Sequence, residues 1–105
     1  MKKIAELNDK FRTTFQGGRV VTTAAFAQLP NSTKAKALQA VRTFSAFTKD
    51  NDPYGDHEFA TFEVDGERFM FKIDCYDRKM EFGSPDPTNP AVTLRVLTIM
   101  LASDY

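Results

Sequence analysis

The chain has 105 residues, 42% hydrophobic and 27% charged, with 14 basic against 14 acidic side chains and a single cysteine. That length holds one core and one domain over residues 1–105. A lone thiol excludes an internal disulfide framework and fits a reducing, cytoplasmic setting, and no apolar run is long enough to span a bilayer. The N-terminal stretch MKKIAELNDK has no apolar centre of the signal-peptide kind. Neutrality hides an uneven layout. Residues 1–48 carry eight bases against Glu6 and Asp9, whereas residues 49–90 carry eleven acids against five bases. Such asymmetry marks an interaction surface.

In chain order, Ile4, Leu7, Phe11 and Phe15 recur at helical spacing, which predicts a first helix over residues 2–15 that Gly17-Gly18 stops. Arg19–Thr23 is β-branched enough for a short strand, and Ala24–Leu29 reads as a turn of helix before Pro30. Asn31 or Ser32 caps a second long helix to about Thr48, with Leu38, Val41, Phe44 and Phe47 inward and Lys34, Lys36 and Arg42 outward. The Asp-, Asn-, Pro- and Gly-rich segment Lys49–Glu58 is a loop.

Asp65-Gly66 is a favoured hairpin turn. It pairs Val64 with Glu67, Phe62 with Phe69 and Ala60 with Phe71, so that Phe62, Phe69, Phe71, Ile73 and Cys75 share a face. Glu63 then faces Arg68 on the opposite side, where Lys72 and Asp74 also lie. A turn at Asp77–Lys79 returns a third strand through Met80 and Phe82. After the irregular Gly83–Asn89, Asn89-Pro90 opens a last helix, apolar nearly all round from Val92 to Leu101. The expected order is helix, strand, helix, three strands, helix. This is an α+β fold, with a small antiparallel meander of three to four strands and helices packed on one face.

Few constellations carry chemistry. Asp50-Asn51-Asp52-Pro53-Tyr54-Gly55 begins like a calcium loop, but Tyr54 and Thr61 stand where oxygen ligands belong. No cofactor or bound metal is expected. His57 is the only histidine, and Cys75 is assigned to the Phe face, where a thiol is inert. Asp74, Asp77 and Glu81 read as a surface ion-pair network. The unusual feature is an acidic patch studded with tyrosine: Asp50, Asp52, Tyr54, Asp56, His57 and Glu58, with Tyr76 and Asp77 in support. Tyrosine offers contact area with a polar tip, and fixed carboxylates suit the forks of Arg and Lys.

The blocks FRTTFQGGRVV (11–21), NDPYGDHEF (51–59), FKIDCYDRKMEFGSPDP (71–87) and RVLTIMLASDY (95–105) resemble the bacterial family catalogued as domain of unknown function 3768. Cys75 stands where that family more usually shows tyrosine. The resemblance implies no activity, cofactor or catalytic residue. It does imply a proteobacterial setting, often on mobile elements, where inhibitors of restriction or CRISPR machinery occur. The expectation is therefore a non-catalytic module whose acidic loop face binds a protein partner with a basic surface. Two alternatives stay open: a nucleic-acid accessory protein using Lys34, Lys36 and Arg42, and a metal-dependent enzyme at His57 and its carboxylates.

Overall fold

The protein is described here from a computed structural model, which covers residues 3–105. Helix α1 spans Lys3–Thr14, and the expected start at residue 2 lies outside the described residues. Its buried row is Ala5, Asn8, Phe11 and Arg12, so two polar side chains enter a face expected to be apolar. Phe15, not a glycine, takes the left-handed conformation that ends the helix (φ 58°). Its N–H donates back to the Phe11 carbonyl at 2.7 Å.

Strand β1 (Gly18–Thr22) is followed by the single turn α2 (Ala24–Ala27), whose cap is the Thr23 hydroxyl accepting from the Phe26 N–H. Helix α3 runs from Asn31 to Thr43, shorter than expected. Phe44 leaves it in an extended conformation, and Phe44 and Phe47 fold over Phe71 edge-on. Expectation and structure part there because Phe44 and Phe47 gain more by covering the sheet than by continuing a helical ladder.

Strands β2 (Phe59–Val64) and β3 (Glu67–Tyr76) form the expected hairpin in the expected register, with Glu63 opposite Arg68. The third meander strand is absent. Asp77–Phe82 instead closes a tight turn, with Met80 at φ 57° and Phe82 72% exposed. Only an isolated bridge, Tyr76 to Gly83, continues the sheet.

The last helix is the largest correction. Asn89 does cap and Pro90 does open a helical turn, but it lasts only to Val92. Leu94–Leu101 is strand β4. It is buried on both faces, through Leu97 and Ile99 on one and Val96 and Met100 on the other. A strand covered on both sides loses its period-two signature and cannot be told from a buried helix by pattern alone.

β4 completes a four-stranded sheet ordered β1-β4-β3-β2. The sheet is mixed, since β1 runs parallel to β4 while the other pairs are antiparallel. The α+β class stands; the purely antiparallel meander does not. Phe11, Phe26, Val41, Phe69, Phe71, Leu97 and Ile99 form the core between the helices and the inner sheet face. Gly18 is required where β1 meets β4, because a Cβ there would run into the Arg95 carbonyl and the Phe11 ring.

Candidate functional site

The loop between α3 and β2 is built by its own polar side chains. Thr48 N–H donates to Asn51 Oδ1 at 2.7 Å, Asn51 Nδ2 donates to the Ala46 carbonyl at 2.9 Å, and Gly55 turns the chain at φ 68°. His57 sits in the left-handed region at φ 54°, with its backbone N–H donating to both Asp52 carboxylate oxygens at 3.3 Å. That conformation is uncommon outside glycine and persists only where its surroundings enforce it.

Helix α1 supplies the enforcement. His57 Nδ1 meets Asp9 Oδ2 at 2.9 Å, and Nε2 lies 3.6 Å from Asp52 Oδ2. The other Asp9 oxygen accepts from Arg12 Nη2 at 2.8 Å. Arg12, almost fully buried, also donates to the carbonyls of Val41 and Phe44 at 2.7 and 2.9 Å. One residue before Asp9, Asn8 donates to the Asp56 carbonyl at 2.9 Å. Asn8, Asp9 and Arg12 thus fasten the acidic loop to the basic half of the chain.

The patch residues therefore divide. Asp50 and Tyr54 face outward, Tyr54 being 71% exposed. The Asp52 side chain is only 8% exposed and is spent on His57, and His57 itself is partly covered. Asp56 and Glu58 complete the same loop. Tyr76 lies on β3 opposite Leu94. Asp77 caps the next turn, accepting from the N–H groups of Lys79 and Glu81 at 3.1 and 3.0 Å, so its carboxylate serves that turn.

A cleft of about 410 Å³ lies between this loop and the β2–β3 hairpin, with Tyr54, Glu58, Phe59, Lys72, Asp74 and Tyr105 on its walls. The Phe59 and Tyr105 rings are 6.5 Å apart. Lys72 is paired with Asp74, whose hydrogen bond raises the Lys72 ammonium above its ordinary range. Partial burial, then the charges of Asp56, Asp52 and Asp74, push the Glu58 carboxyl up. Sequence reasoning missed Asp9, Asn8, Phe59, Lys72 and Tyr105 as parts of this region. The only available signal was Asn8 and Arg12, polar residues four apart beside the apolar stripe of α1.

Other candidate chemistry falls differently. Cys75 lies opposite Arg95 on the core side of β3, and burial pushes its thiol up, away from the reactive thiolate. Among the described residues, no group of three or more His, Cys, Asp or Glu side chains is arranged to hold a metal ion. The bases proposed for nucleic acid have internal partners: Lys34 on the Ala27 carbonyl, Lys36 on Asp65, and Arg42 on the Thr13 carbonyl and over the Phe15 ring.

The family model for proteins of unknown function DUF3768 matches residues 22–104. The chain belongs to that family. No curated protein matches it. Nor does any solved structure. The part matched contains the loop and the hairpin, which line the cleft together with Tyr105 just beyond the matched part. No helix among the described residues is long and apolar enough to cross a membrane.

Proposed function

We propose that this DUF3768 protein is a non-catalytic cytoplasmic binding module whose acidic, tyrosine-bearing loop face docks onto a basic surface of a protein partner. Tyr54 carries the reading: a large aromatic side chain, 71% exposed, on the wall of a cleft that also holds Glu58 and Asp74. Aromatic anchors beside polar rims are where interface energy concentrates. Partial burial, and after it the charges of Asp56, Asp52 and Asp74, raise the Glu58 carboxyl, and a partner's Arg or Lys would offset that negative charge. His57 supports a binding role over a catalytic one, since both its ring nitrogens face carboxylates of its own chain. The favoured partner class is a nucleic-acid-handling enzyme of restriction or CRISPR defence, because such enzymes present basic grooves to their substrate.

The test is capture from host lysate, with nuclease added, by the tagged protein and by an Asp50→Lys/Tyr54→Ala variant. These two positions lie on the surface and leave the Asp52–His57 joint intact. A stoichiometric protein retained by the parent and lost by the variant supports the reading. Equal recovery by both, or no partner, overturns it.

A further inference from the structure

A second concavity, of about 180 Å³, opens between the end of α1 and the start of β4, lined by Lys10, Phe11, Gln16, Gly17, Pro90 and Arg95 among others. One of its lining residues carries an unusual buried charge. Arg95 is 4% exposed, yet its Nε donates to Asn8 Oδ1 at 2.9 Å and its Nη2 to the Pro87 carbonyl, both neutral acceptors. The ion-paired carboxylates of the described residues are engaged elsewhere, Asp9 with Arg12 and His57, Asp52 with His57, Asp65 with Lys36, Glu63 with Arg68, and Asp74 with Lys72. Among the described residues Arg95 has no ion-paired carboxylate; a guanidinium withdrawn from water in this way is costly, and its planar fork has five donors to satisfy. Lys10, exposed at the rim, adds a second cation, and among the described residues no carboxylate lines the cavity. Gly18 fixes the base of this arrangement by letting β1 lie directly on the Arg95 backbone.

We propose that this cavity binds a single tetrahedral oxyanion, the phosphate group of orthophosphate or of a small phosphate monoester, between Arg95 and Lys10. Arg matches phosphate oxygens two at a time, while Lys acts as a mobile point charge, and the pair fits one anionic group. At roughly 30 Å³ for each water-sized occupant, the cavity has room for about six, a phosphate group and a water, and not for a nucleoside. The inference is independent of the loop face.

Amide chemical shifts of the full labelled chain, titrated with inorganic phosphate at about pH 7.5 against sodium chloride of equal ionic strength, test it. Saturable shifts at Gln16, Gly17 and Arg95 are expected with phosphate and not with chloride. Lys10→Ala should weaken binding about fivefold and Arg95→Lys about tenfold or more. If Arg95→Lys does not fold, Lys10→Ala decides, because its side chain is exposed. Methyl phosphate separates the two sources. Binding equal to that of orthophosphate assigns the site to monoesters, and exclusion assigns it to the free ion. Linear shifts, shifts shared with chloride, shifts remote from the cavity, or an unchanged affinity in Lys10→Ala would overturn the proposal.

Discussion

His57 lies flat on Phe47, with ring centroids 4.0 Å apart and planes 4° from parallel, while its Nδ1 reaches Asp9 on α1. The acidic loop is thereby held from both sides, by stacking on the segment after α3 and by a charged hydrogen bond to α1. Replacing His57 with Ala removes both contacts and should cost about 1–3 kcal/mol of stability in urea denaturation. Amide exchange at Gly55 and His57 should quicken more than at Phe71. Unchanged exchange in the loop would mean that the stack is incidental.

Arg12 is the deeper fastener. It joins Asp9, the Val41 and Phe44 carbonyls and the faces of the Phe47 and Phe71 rings, each 5.4 Å from its guanidinium carbon. Its buried Nε has no hydrogen-bond partner among the described residues, so the aromatic faces supply part of its environment. Arg12→Ala is expected to destabilise by about 3–5 kcal/mol, the scale of breaking a buried charged network. Arg12→Lys should recover little, since one ammonium cannot reproduce a planar fork. Full rescue by Lys would reduce the residue to a point charge.

Glu58 sets a pH dependence. Its folded carboxyl holds a proton to higher pH than the unfolded chain does, so ionisation works against folding. The penalty is absent below its ordinary value near 4.5 and fully present once the pH passes the raised folded value. Glu58→Gln should therefore raise Tm at about pH 7.5, with the gain fading as the pH falls toward about 4. A gain that is equal at every pH would point to packing and not to charge.

The Cys75 thiol offers a chemical check. Burial raises it, and the nearby Arg95 charge opposes that rise without cancelling it. Iodoacetamide should modify the native protein more than about tenfold slower than the urea-unfolded chain at neutral pH. Matching rates would contradict the placement of Cys75 on the core side of β3.

Local chemistry was the legible part of this fold. Asp65-Gly66 fixes the hairpin register by its turn type, and every expected pair from Val64–Glu67 to Ala60–Phe71 is present. The Asn89-Pro90 cap was legible for the same reason, although the turn it opens is short. What failed depended on distant partners. Leu94–Leu101 becomes a strand because β3 and β1 flank it on either side, which no window of eight residues reveals. Met80 and Phe82 look like a strand's apolar row, but Asp77 draws the N–H groups of Lys79 and Glu81 into a turn and leaves both side chains exposed. In the candidate site, the residue types of the loop were readable. The inward commitment of Asp52 was not, since it rests on an Asp9–His57 contact between residues 48 apart in sequence.

The position of β4 has a consequence for biosynthesis. It lies C-terminal to every other strand yet occupies the interior of the sheet, between β1 and β3. While the ribosome still holds Leu94–Leu101, β1 has no neighbour, and the β2–β3 hairpin shows a long open flank along Phe69–Tyr76. The nascent chain must therefore wait, with adhesive backbone on display, until Leu94–Leu101 emerges and inserts. Losing β4 would leave β1 without a partner and the β2–β3 hairpin alone, in place of a smaller native sheet.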